Sequence, residues 1–222
     1  MSCGDGGDED SVPIRPTTEA LSGITTITAT VAGVNPGAKN VTLADNSEIG
    51  YDAVVLAAGS RIALEMIPGL PEAVDNGSAV HYYATAAAAS AHRALSAFAG
   101  GKLVFLITSQ PYRCPVAPYE GALLATDLLR ENGTRAATQI SVYTPEQQPM
   151  PSAGPHAGPE LVGLLNHEGI DVFCEQTVER IDPDARTIHF QDGHSVDFDL
   201  LVFVSPHQPA ITLGEPGWIP TC

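Results

Sequence analysis

The apolar positions of this chain fall into two patterns. Residues 51–60, 102–108 and 200–204 hold short apolar runs with no polar face, which predicts strands covered on both sides, as in a parallel sheet. Residues 24–31, 41–43, 177–181, 187–190 and 195–197 are richer in β-branched and polar residues. Turn signals such as Asn35-Pro36-Gly37 and Asp45-Asn46 bound them, and the first group closes through Glu48-Ile49. They predict two small antiparallel meanders. Helices are predicted over residues 84–98, stopped by Gly100-Gly101, over 118–131, ended by Gly133, and over 160–168, ended by Gly169. Strands at 140–144 and 170–173 complete the alternation, and Pro68-Gly69-Leu70-Pro71 breaks the chain.

This organisation repeats. Residues 24–60 and 177–205 each run strand, turn, strand, turn, apolar strand. Asp45-Asn46-Ser47-Glu48-Ile49-Gly50-Tyr51-Asp52 parallels Asp192-Gly193-His194-Ser195-Val196-Asp197-Phe198-Asp199, so each copy sets an aromatic–aspartate pair before its apolar run. Two copies of one unit imply two related domains. A βαβ half at 102–173 precedes the second copy. Only residues 1–23 precede the first, short of the roughly 30 residues such a unit needs. The expected fold class is therefore α/β, with two related Rossmann-like, three-layer domains, the first incomplete. The expected boundaries are a disordered acidic lead-in at 1–19, a partial domain at 20–75, a second domain at 76–209 and a return segment at 210–222.

Composition narrows the function classes. The chain has 222 residues, 44% hydrophobic and 16% charged, which fits a globular protein able to bury a core. A net charge of −16 disfavours nucleic acid and anionic lipid as partners. No apolar run approaches the roughly 20 residues of a membrane span. The N-terminus lacks the basic and apolar regions of a signal peptide, so a cytoplasmic location is expected. Four scattered cysteines (Cys3, Cys114, Cys174, Cys222) include no CxxC and no zinc spacing, and no metal site is expected.

The candidate chemistry sits in Pro111-Tyr112-Arg113-Cys114-Pro115-Val116-Ala117-Pro118-Tyr119-Glu120, between the strand at 102–108 and the helix that follows. A dinucleotide fold needs a glycine-rich turn here, so that backbone N–H groups can reach a pyrophosphate. This loop has no glycine and three prolines, which bring no N–H. A thiol beside Arg113 and ahead of a helix N-terminus is instead expected to favour its thiolate, the nucleophilic form. Glu120, in the helix's first turn, can give or take a proton. Cys174, at the end of a strand, is expected to be a core residue. No GxGxxG follows a strand anywhere, and Gly4, Gly6 and Gly7 open no helix.

These residues resemble the pyridine nucleotide–disulfide oxidoreductase superfamily. Residues 51–61 are similar to its second flavin motif, an apolar strand ending in Ala-Thr-Gly, with Ala58 in place of the threonine. The Cys114 loop is similar to the Cys-Pro-x-x-Pro-Tyr-Glu run of flavocytochrome c sulfide dehydrogenases and sulfide:quinone oxidoreductases. The resemblance spans about residues 20–219. It implies that the two domains are of the FAD/NAD(P)-binding kind, a partial FAD-binding domain at 20–75 and an NAD(P)-binding-like domain at 76–209, in an FAD-dependent oxidoreductase whose active cysteine falls on Cys114 and whose glutamate falls on Glu120. It also implies that backbone near Val31 meets the adenine and that Ala57, Ala58, Gly59 and Ser60 pass close to the nucleotide. A small sulfur compound would be the substrate, quinone or another electron acceptor the partner, with room for peripheral membrane contact in the complete protein. Family members have a second redox cysteine in a C-terminal region; Gly217-Trp218-Ile219-Pro220 resembles the stretch before it, and Cys222 does not match the partner position. The chain is therefore expected to be a fragment that binds FAD weakly or not at all. Two alternatives stay open: a flavin-linked NAD(P)H dehydrogenase of the same superfamily, and a non-catalytic nucleotide-fold module with Cys114 as a regulatory thiol.

Overall fold

A computed structural model describes residues 23–210. The expected lead-in at 1–19 with Cys3 and its glycines, and nearly all of 210–222 with Cys222, lie outside the described residues. The described chain divides into two compact units, one of residues 23–61 and 208–210, the other spanning Ile62–His207.

The smaller unit begins with a meander of β1 (Val31–Asn35), β2 (Asn40–Leu43) and β3 (Glu48–Gly50), antiparallel throughout. The predicted strand at 24–31 is not formed: residues 23–30 are exposed, only the Thr30 carbonyl reaches across, to the Ala44 N–H at 2.9 Å, and strand pairing starts at Val31, opposite Leu43. Four residues of β2 lie opposite β1, and among the described residues no other strand lies beside 24–30. The apolar run at 51–60 departs further. Residues 51–59 form no strand, and only the end of the run enters one, β4 (Ser60–Ile62). A parallel strand needs ladder partners for its N–H and C=O groups, and none of the described strands supplies them to this run.

In the larger unit the segment Pro68-Gly69-Leu70-Pro71 starts a short helix, α1 (Leu70–Asp75), where a break was expected. Pro71 stands in the first turn, which tolerates its missing N–H. Gly69 takes φ 82° at the N-cap, where a Cβ would collide with the Ile181 carbonyl. There follow β5 (Ala79–Val80), α2 (Thr85–Ser96), β6 (Gly101–Ile107), α3 (Ala117–Glu131), β7 (Thr138–Tyr143), α4 (Ala157–His167) and β8 (Ile170–Phe173). The second meander is β9 (Val178–Asp182), β10 (Thr187–Phe190) and β11 (Ser195–Asp197), and β12 (Leu200–Val204) returns to the sheet. A last strand, β13 (His207–Pro209), pairs with β4 in a two-stranded ribbon.

The main sheet is parallel, in the order β5-β12-β6-β7-β8. Period-two alternation sends its side chains into two cores. On one face Leu103, Phe105, Ile107, Ile140, Val142 and Val202 pack with Ala91 of α2, Ala122 and Leu129 of α3 and Leu165 of α4. On the other, Val104, Leu106, Leu201 and Phe203 meet Val178, Ile181, Ile188 and Phe190 of the meander, Phe198, and Leu70 of α1. The result is three layers: helices, parallel sheet, and antiparallel meander with a short helix.

Candidate active site

Cys114 lies in the loop from the carboxyl end of β6 to α3, the edge at which parallel sheets hold their ligands. With no glycine available, a cysteine makes the turn: Cys114 has φ 56°, in the left-handed region. Its carbonyl accepts the Ala117 N–H at 3.0 Å, and the Val116 carbonyl accepts those of Tyr119 and Glu120 at 3.1 and 2.9 Å. The first turn of α3 is thus built on the loop. Pro118, buried at the second helical position, contributes no N–H. The thiol is exposed.

Arg113 turns toward Tyr83. Its Nη2 donates to the Tyr83 carbonyl at 3.0 Å, and the guanidinium carbon stands 5.9 Å from the ring centroid. Cys114, Arg113, Tyr82, Tyr83 and Thr85 line one cleft of about 480 Å³, together with two alanines. Tyr82 Oη donates to the Ala117 carbonyl at 2.8 Å. Gly121 permits this, since a Cβ there would strike the Tyr82 hydroxyl. Burial pushes the Tyr82 phenol up, with Tyr83 and Cys114 adding to it. Burial does the same to Tyr83, Cys114 adding and Arg113 opposing. Both phenols therefore remain neutral donors beside the thiol.

Behind the cleft, His207 packs edge-on against Tyr83 at 5.1 Å between centroids. Its Nδ1 lies 2.9 Å from the Ser205 carbonyl, which can only accept, so the proton sits on Nδ1 and Nε2 is an acceptor. Burial holds the His207 imidazole below its usual value, with Arg113 adding and the Ser205 carbonyl opposing. His207 Nε2, Tyr83 Oη and Ser205 Oγ are buried without a hydrogen-bond partner.

Among the other predicted site residues, Glu120 is exposed in the first turn of α3 and does not line the cleft. Cys174 is half-buried just past β8 rather than enclosed in the core. Burial raises its thiol, with Glu146 and Glu175 adding. Val31 opens β1, Ala57, Ala58 and Gly59 are exposed, and Ser60 opens β4. These five belong to the smaller unit, which contains no helix among its described residues. A flavin nucleotide's pyrophosphate is held by backbone N–H groups at a helix start, so the described residues of that unit do not by themselves make that site. Among the described residues no three His, Cys, Asp or Glu side chains are grouped to hold a metal ion, and no helix is long and apolar enough to cross a membrane.

Sequence reasoning missed Glu146. It lies past the carboxyl end of β7, 3% exposed, and accepts hydrogen bonds from Tyr112 and Thr144 at 3.2 and 3.0 Å and from Tyr119. Its position beyond a buried strand at the ligand-bearing edge was a usable signal; Thr144-Pro145-Glu146 otherwise reads as a loop.

A family model described as pyridine nucleotide-disulphide oxidoreductase matches residues 5–213. The mouse protein "Sulfide:quinone oxidoreductase, mitochondrial" is 28% identical over 97% of this chain and 50% of its own length. Its counterpart of the same description from Schizosaccharomyces pombe is 28% identical over 51% of this chain and 25% of its own. The chain thus spans half or less of the curated relatives it matches. Among solved structures, the sulfide:quinone oxidoreductase of Aquifex aeolicus superposes with TM-score 0.66 at 22% identity, over 82% of this chain and 42% of its own. A ferredoxin reductase from Rhodopseudomonas palustris superposes with TM-score 0.62 at 18% identity, over 93% and 47%. At such identities the likeness is one of fold.

Proposed function

The chain belongs to the pyridine nucleotide-disulphide oxidoreductase family, and from that premise we propose that it is part of an FAD-dependent oxidoreductase of the sulfide:quinone type. The substrate is a small sulfur species, and quinone or another acceptor takes the electrons. A quinone acceptor would bring the complete protein against a membrane surface from the cytoplasmic side. Members of the family typically bind FAD, which supplies a two-electron acceptor. This chain's own residues supply the thiol and its surroundings.

The observation that carries the reading is the glycine-free loop that exposes Cys114 beside Arg113 and two neutral tyrosines. The Arg113 charge favours an anionic sulfur species. The Cys114 thiolate then attacks a sulfane sulfur: the Sγ–S bond forms, an S–S bond of the donor breaks, and the shortened polysulfide leaves with the electron pair. Glu120, at the start of α3, exchanges protons with solvent. The same loop argues against a nicotinamide nucleotide, because three prolines and no glycine offer a pyrophosphate few N–H groups.

The test is to treat the full chain with inorganic polysulfide and map the modified peptides by mass. Cys114 is expected to gain a sulfur atom while Cys174, whose thiol burial raises, gains none. Equal loading of both, or none on Cys114, would sink the reading. A second reading, a non-catalytic module with Cys114 as a regulatory thiol, is favoured by the absence of a helix among the described residues of the smaller unit. The visible spectrum of the purified chain separates the two: stoichiometric flavin bands would remove the non-catalytic reading.

A further inference from the structure

Glu146 is a buried carboxylate that makes no ion pair among the described residues. Burying a carboxylate without a cation is costly, and here hydroxyls offset the cost. Thr144 Oγ1 donates to Oε2 at 3.0 Å, Tyr119 Oη donates to the same oxygen, and Tyr112 Oη donates to Oε1 at 3.2 Å. The Glu146 N–H donates to Thr144 Oγ1 at 3.2 Å, and its carbonyl accepts the Glu175 N–H at 2.9 Å. The carboxylate is therefore fixed from the backbone outward. Burial pushes both the Tyr112 and the Tyr119 phenols up, with Glu146 adding, so both hold their protons.

Tyr112 differs from the other two donors. Its hydroxyl also lies 3.3 Å from the Pro115 carbonyl, so one O–H spans the loop across Cys114 and ties it to the end of β7. Arg113 is pinned to the Tyr83 carbonyl at 3.0 Å, and the Cys114 carbonyl to the Ala117 N–H at 3.0 Å. Between these anchors Cys114 stands at φ 56°. That conformation is disfavoured for a residue with a Cβ by about tenfold or more in population. A strained conformation persists only where its surroundings over-determine it.

We propose that Glu146 is a positioning residue for Cys114. Through the Tyr112 hydroxyl it holds the 112–115 loop so that Cys114 stays in the left-handed conformation, with its thiol at the cleft. The inference deepens the proposed function and rests on Cys114 being the reacting thiol.

The test is a set of double-mutant cycles on the full chain. Cys114→Gly removes the Cβ and with it the strain; Cys114→Ala removes only the sulfur. Their unfolding equilibria are compared in wild type, in Tyr112→Phe, and in Thr144→Val, which removes a Glu146 donor whose hydrogen bonds reach no residue of the 112–115 loop. The extra freedom of glycine in the unfolded chain is common to all backgrounds and cancels. The glycine-over-alanine advantage is expected to fall by about tenfold in Tyr112→Phe, the size of the left-handed penalty, and to stay unchanged in Thr144→Val. Where Glu146→Gln folds, it should behave as Tyr112→Phe does; where it does not, the comparison of Tyr112→Phe with Thr144→Val decides. Polysulfide loading of Cys114 should slow about tenfold in Tyr112→Phe alone. No change in the glycine advantage in Tyr112→Phe, or an equal change in Thr144→Val, overturns the proposal. If wild type fails to load polysulfide, the proposed function falls, while the stability cycles still decide the positioning role.

Discussion

Two regions of this molecule carry nearly the same sequence pattern and fold differently. Each has a three-stranded antiparallel meander, β1-β2-β3 and β9-β10-β11, followed by an aromatic–aspartate pair and an apolar run. After the second meander, the Asp199 carboxylate accepts the Lys102 N–H at 2.7 Å at the head of β6, and the Lys102 carbonyl accepts the Asp199 N–H at 2.8 Å. Gly101 leaves the space, since a Cβ there would strike that carboxylate. β12 then runs between β5 and β6 with every residue buried. After the first meander, Asp52 is exposed, residues 51–59 form no strand, and Val55 is 89% exposed where its counterpart Val202 is 1% exposed. An apolar run becomes a strand when neighbours satisfy its backbone on both sides; its own propensity is too weak to decide.

That contrast can be broken most forcefully at matched positions. Phe203→Ala should cost about 3–5 kcal/mol, because a fully buried ring leaves a cavity between sheet and meander. Leu56→Ala, its counterpart, should cost about 0.5 kcal/mol or less. Urea denaturation followed in both variants checks the pair; equal losses would mean that the first run is packed after all. A smaller difference is expected at the aspartates. Asp199→Ala should lose about 1 kcal/mol with its bond to Lys102, and Asp52→Ala almost nothing, by the same measurement.

The smallest effect concerns acid. Burial holds the imidazoles of His81 and His207 below the ordinary 6.5, with His207 adding at His81 and Arg113 at His207. Above 6.5 both are neutral, folded or unfolded, and the stability they permit is complete. As pH falls below 6.5 the unfolded chain takes up protons that the fold resists, so stability declines toward the lowered folded values. Residues 23–61 contain no histidine. Protection against amide exchange in β5 and β12, taken relative to the intrinsic rate at each pH, should therefore fall between neutral pH and about pH 5, with His81→Gln weakening the trend. Protection in β12 that is indifferent to pH would remove these histidines as the cause.

Much of the larger unit was legible in advance. The strands at Ile170–Phe173, Thr187–Phe190, Ser195–Asp197 and Leu200–Val204 match the expected bounds, and α2, α3 and α4 begin and end within three residues of theirs. There the local signals, glycine stops and apolar runs, agree with the packing. At the site, the glycine-free loop pointed to Cys114. The buried Glu146 with its tyrosines did not stand out, because partners 34 and 27 residues away in the chain leave no periodic trace.

By itself the sequence determined the alternation of elements, the internal repeat, and the presence of a cysteine where a phosphate-binding turn would stand, since periodicity, turn chemistry and the absence of glycine are local properties. Tertiary structure decided which apolar runs became strands, because ladder partners come from distant segments. It also decided that the meander and α1 cover one face of the sheet while α2, α3 and α4 cover the other. And it decided that the Cys114 loop is tied to a buried carboxylate, a contact made by backbone that arrives from the end of another strand.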